Sequence, residues 1–196
     1  MNTQTKRLTL WAVVLLAAFA TACMETEKAN KLIVVGNAAI TEGNKLLEDA
    51  NAKNDKLVDS LNAAASKSPD DEESGPAVDT QAIKSTAQSA IDGFEKSATK
   101  FREAAAKFDE ASKLKIHEKL KEYLTLKSQS FTKLAELADA MKGNSKTVID
   151  TGALPKNLDE NGERINKLLK EANELNEKAN KIQQDNKDII GGPDAK

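Results

Sequence analysis

The stretch TQAIKSTAQSAIDGFEKSATKFREAAAKFDEAS, residues 80–112, decides the fold. Ala87, Phe94, Phe101 and Phe108 recur every seven residues, and Ile83, Ala90, Ala104 and Ala111 fill the alternate positions. Apolar residues at alternating spacings of three and four form one seam of a helix that packs against other helices. Asp79 and Thr80 are both suitable N-caps, so the spacing predicts a helix over 79–113. A stripe of three Phe has two readings. It is a packed core, or Phe94, Phe101 and Phe108 line a cavity in which the chain carries an apolar ligand.

The same beat runs through the preceding segment. Ile33, Ile40, Leu47, Asn54 and Leu61 form one series, and Gly36, Gly43, Ala50, Leu57 and Ala64 form the other. This predicts a helix over 26–65. Gly inside a helix costs about 1 kcal/mol relative to Ala. Gly36 and Gly43 either admit a neighbouring helix at close range or loosen their own helix. Asn54 either fixes register on the seam or marks a hydrated point along it. Between the two helices, residues 66–78 carry Asp70, Asp71, Glu72 and Glu73 among Ser, Gly and Pro, the composition of a solvated loop. The alternate acids and closing glutamate of a calcium loop are absent.

Past Ala111 the beat breaks. A continued phase would bury Lys115, Glu118 and Glu122, whereas Ile116, Leu120, Tyr123, Leu124, Phe131, Leu134, Leu137, Ala138 and Met141 form a new stripe. Either a turn falls near Leu114 to His117, or a single helix absorbs a stutter. One helix from 80 to 142 would be roughly 95 Å long, far longer than its neighbours, so a turn and a helix over 116–142 are expected. Gly143 is the expected C-cap, with 144–156 a second linker. A last helix over 157–190 carries Ile165, Ala172, Ala179 and Asn186 on one series and Leu168, Leu175, Ile182 and Ile189 on the other. The expected fold is all-α, an elongated antiparallel up-down-up-down four-helix bundle of coiled-coil character.

Composition excludes several functions. The net charge is −2, without the basic footprint that nucleic-acid binding needs. Aromatic residues are only 4% of the chain, and Trp11 and Phe19 of these lie in the N-terminal stretch, which argues against base stacking. Cys23 is the only cysteine, so no internal disulfide forms and the fold rests on packing. His117 is the only histidine, and Leu114 stands three residues before it, so no Glu-x-x-His metal motif exists. No zinc cluster, serine triad or phosphate-binding glycine loop is present. A non-enzyme without a cofactor is expected.

Lys6 and Arg7 precede an apolar run, Leu8 to Phe19, which ends in Ala20-Thr21-Ala22-Cys23. Charged start, short apolar middle and small residues before a cut are the layout of a secretory signal. With a cysteine directly after the small residues, the stretch resembles the signal of a bacterial lipoprotein. The resemblance covers the first 23 residues. It implies removal of 1–22, acylation of Cys23 (palmitate among the chains) and membrane lipid as the first partner of a domain over 23–196. Ala20-Thr21-Ala22 also reads as an ordinary A-x-A site, which cuts the same bond and leaves Cys23 bare. An uncleaved span is the third reading, but the run from Leu8 to Ala22 falls short of the ~20 residues a spanning helix needs. In enteric members of the family, a residue other than Asp after the cysteine, here Met24, goes with the outer membrane, facing the periplasm. The expected function is a lipid-anchored, non-catalytic envelope scaffold or protein-interaction module, holding an envelope protein partner. Lys113, Lys115, Lys119 and Lys121 are candidate contacts to anionic headgroups, because an up-down bundle returns their turn to the anchored end.

Overall fold

A computed structural model of the chain describes residues 3–65, 80–152 and 158–191, with the side chains of 24–63, 80–152 and 159–191. Among the described residues the chain is all-α. Its elements are α1 (Thr3–Ala65), α2 (Thr80–Ser112), α3 (Glu118–Thr151), α4 (Leu158–Asp185) and the short α5 (Lys187–Ile190). The acidic segment 66–78 with Asp79, and the residues 153–157 that include Leu154 and Asn157, lie outside the described residues.

Three predicted boundaries are corrected. The helix expected to begin near residue 26 is part of a continuous α1 of 63 residues. No Gly or Pro occurs between Thr3 and Val35, so nothing in that stretch interrupts the backbone hydrogen bonds. Gly143 does not end the third helix. It sits inside α3, where a Cβ would meet nothing within 4 Å, and α3 continues to Thr151. The C-cap is Gly152, at φ 69, with its N–H donating to Val148 O. The expected linker 144–156 is therefore helical through Thr151. It is held there by Val148, which is buried with Leu57, Leu61 and Ala87 while Ile149 packs alongside. The last helix breaks at Asn186, whose side-chain amide donates to Ile182 O at 2.8 Å, and resumes as α5.

The turn between α2 and α3 forms without Gly or Pro. Lys113 N–H and Leu114 N–H donate to Glu110 O and Ala111 O, closing α2 with tightened i→i−3 bonds. Ile116 is buried. His117 is the N-cap of α3, its Nδ1 accepting from Lys119 N–H at 3.2 Å. The change of stripe between Ala111 and Ile116 thus marks a reversal of direction.

Each helix packs on the next: α1 on α2, α2 on α3, α3 on α4. At the α1–α2 contact the series of small residues lies innermost. A Cβ on Gly36 would come within 3.0 Å of the Phe108 ring, and one on Gly43 within 2.9 Å of the Phe101 ring. The Ser97 hydroxyl donates to Gly43 O at 2.8 Å across the same contact. Both glycines are therefore there for close approach. The α2–α3 contact is aromatic, with Phe131 stacked against Phe101 (centroids 6.2 Å apart) and tilted against Phe108 (5.8 Å). At Asn54 the seam is polar and specific, since the Ser145 hydroxyl donates to Asn54 Oδ1 at 3.2 Å. The α3–α4 contact is made of Ser130 donating to Ala172 O, Leu168, Ala172, Ala179 and the Lys133–Glu171 ion pair at its rim. No extensive α1–α4 interface is present among the described residues.

Two measurements check this packing. Gly143→Ala should raise stability by about 1 kcal/mol, because the position is helical and open, whereas Gly43→Ala should lower it by forcing Phe101 out of its seat. Phe101→Ala should cost about 3–5 kcal/mol as a buried aromatic truncation. Thermal or denaturant unfolding reads all three, and a stabilising Gly43→Ala would contradict the close approach.

Candidate functional site

Cys23 lies in α1, and its side chain is outside those described. The described side chains begin one residue later with Met24, which is 70% exposed, and Ala29 is the first fully buried residue among them. Six helical residues span about 9 Å, so Cys23 stands close to the first core layer. The turn before α3 lies at this same end, because Glu25 Oε2 accepts from Lys115 N–H at 3.3 Å.

That contact brings Lys115 to Glu25, two residues after Cys23 in the chain, and Lys113, Lys119 and Lys121 flank Lys115 at the ends of α2 and α3. The lysines are not free charges, however. Lys113 pairs with Asp109 at 2.5 Å, Lys119 with Glu122 at 2.8 Å and Lys121 with Glu118 at 2.8 Å. The hydrogen bond from Lys121 holds the Glu118 carboxyl below its ordinary range, and the bond to Glu122 holds the Lys119 ammonium above its own. Lys115 has no ion pair among the described residues. The sequence reading saw the cations and missed that each acid three or four residues away on a helix is within reach.

Phe94, Phe101 and Phe108 are all buried, but not in one row of contacts. Phe101 and Phe108 belong to the main core with Phe131, Leu120 and Leu124. Phe94 sits in a separate layer with Ala50, Ala90, Leu47 and Met141. Their rings rest on protein atoms on either side. Shallow hollows do occur on the outer face of α4, around Leu169, Lys170, Glu174 and Lys178, away from all three Phe.

One residue of interest was overlooked in the sequence. Lys127 occupies a seam position of α3, seven residues after Leu120 and seven before Leu134. Its Nζ donates to Asn176 Oδ1 of α4 at 2.6 Å and lies 5.8 Å from the ring centroids of both Tyr123 and Phe131. Burial pushes the Lys127 ammonium below its ordinary pKa and the Tyr123 phenol above its own. The other interhelical lysines are matched by acids, Lys100 by Glu42 and Glu103, and Lys133 by Glu136 and Glu171. Lys127 has no ion pair among the described residues. A charge at a heptad position was the available signal.

Among the described residues no group of three or more His, Cys, Asp or Glu side chains is placed to hold a metal ion, and no helix is long and apolar enough to cross a membrane. His117 serves as a cap. Compared with known proteins, the chain matches no family model, no curated protein and no solved structure.

A pH-resolved comparison tests the environment of Lys127. Its folded pKa is depressed, so charging it costs stability below that pKa, and the cost vanishes above the unfolded value near 10.4. Lys127→Met should therefore unfold at a higher temperature than the parent at pH 7, with the gap closing as pH rises towards about 10–11. Tyr123 titrates in both proteins and cancels. A gap that stays constant across this range would show that charge burial is not its source.

Proposed function

We propose that the chain is a lipid-anchored protein of the bacterial cell envelope, acylated at Cys23 after removal of residues 1–22. Its mature part is an elongated antiparallel four-helix bundle acting as a non-catalytic scaffold or interaction module. The observation that carries the reading is the Lys6–Cys23 layout. The hydrogen bond from Lys115 to Glu25 bears on orientation, since it joins the α2–α3 turn to the same end of α1. On this reading the α2–α3 turn faces the headgroups and the far ends of α1 and α2 face the periplasm, from the outer membrane. A partner protein of the envelope is held along the helix faces.

The lysines of the turn contribute little to that attachment. A basic residue close to an anionic surface is worth ~1 kcal/mol, but Lys113, Lys119 and Lys121 each bring a carboxylate with them. Lys115 is left as the principal headgroup contact. The acyl chains supply firm attachment, since one chain alone binds marginally and two or more hold.

Intact mass of the membrane-extracted protein should equal the chain from Cys23 plus lipid. A bare mass from Cys23, or a chain still carrying residues 1–22, would overturn the acylation. In membranes, Lys115→Glu should leave attachment unchanged if the lipid holds the protein. For the scaffold reading, adding extracted envelope lipid should not move the unfolding midpoint of the purified protein. A rise, as mass action requires of a carrier with ligand, would favour the apolar-ligand alternative with Phe94, Phe101 and Phe108.

A further inference from the structure

α4 differs from the other long helices in how it is held. It packs on α3 and on α5, with no extensive contact to α1. The main core, with Phe101, Phe108 and Phe131, is assembled from residues of α1, α2, α3, the turn and α5, and includes none from α4. Separating α4 from α3 would therefore take no α4 side chain out of that core.

The α3–α4 contact is also poor in apolar volume. Two of its fully buried α4 residues, Ala172 and Ala179, are alanines, while Ile165, Leu175 and Ile182 are only half-buried. It places Lys127, a desolvated ammonium, against the Asn176 amide oxygen where its counterparts elsewhere meet carboxylates. Such an interface returns less free energy per residue than the ring-on-glycine contact of α1 with α2.

The C-terminal end is built differently. At Asn186 the helix breaks and α5 follows, with Ile189 and Ile190 packed against the main core. The Gln183 amide donates to Gly191 O at 2.8 Å, tying the last turn of α4 to the end of α5. The short helix thus spends its two apolar residues on the core that α4 itself does not enter.

We infer that α4 is a strap that opens as a unit from a standing α1–α2–α3 core, and that Ile189 and Ile190 of α5 are the clasp that keeps it shut. Opening bares Leu168 and Leu175 on α4. On α3 it bares the strip holding Lys127 and Ser130, together with Leu137 seven residues beyond Ser130 on the same face. Proteins commonly open in such cooperative units, at free energies below that of global unfolding. The inference does not depend on acylation or on the identity of a partner.

Hydrogen exchange on the full chain, purified in non-ionic detergent and read by mass spectrometry of peptides, tests it. Amides of 165–182 in α4 should exchange together at least tenfold faster than those of 90–108 in α2. Replacing both Ile189 and Ile190 by Ala should speed exchange in α4 by a further tenfold or more and leave α2 unchanged. One common rate for α2 and α4 in the parent protein would overturn the strap. Equal acceleration of both helices in the variant, or no acceleration of α4, would overturn the clasp. The parent profile decides the first point even if the variant does not fold.

Discussion

The structure depends on two rings set on two glycines. Phe108 lies over Gly36 and Phe101 over Gly43, at distances that leave no room for a methyl group. Each glycine gives up about 1 kcal/mol of helix propensity, and in return the α1 and α2 backbones come close enough for Ser97 to reach Gly43 O. The rings then project through to meet Phe131 of α3. One aromatic layer, seated on α1 and capped by α3, fixes both the spacing and the register of three helices.

Much of this was legible in the chain. The heptad of Ala87, Phe94, Phe101 and Phe108 specifies α2 and its buried face, and the change of stripe after Ala111 marks the turn. What was not legible has identifiable causes. Gly143 reads as a stop because Gly is the usual C-cap, yet Val148 and Ile149 beyond it have a buried site against α1 and α2. Tertiary burial of two residues outweighs the local signal. Whether Gly36 and Gly43 are contacts or weak points depends on which partner faces them, and single-chain periodicity does not name the partner. Pairing of the lysines near the turn was likewise invisible to a reading that counted cations without the acids three and four residues away.

Lys127 shows a different kind of omission. A stripe read through its apolar members passes over the one charged member. The geometry gives that member a role in choosing which side of α3 meets α4. Its ammonium lies over the Tyr123 and Phe131 rings and reaches Asn176, a polar end at the margin of a core. A carboxylate there would have made a tighter bond and also a second desolvated charge. Asn176 satisfies the donor without that cost.

The interfaces therefore grade along the chain. The first, α1 with α2, is a close approach of small residues under rings. The second is aromatic. The third is alanine, serine and a half-buried amine. The grading follows the direction of the expected anchor. α1, which carries Cys23, is continuous from Thr3 to Ala65, and the stretch from Cys23 onward spans roughly 60 Å at 1.5 Å per residue. A force or an orientation imposed at Cys23 passes without a hinge into the helix that is most tightly coupled to α2. The loosest interface lies two helices away from α1, and no residue of α4 belongs to the cluster that holds the ring layer.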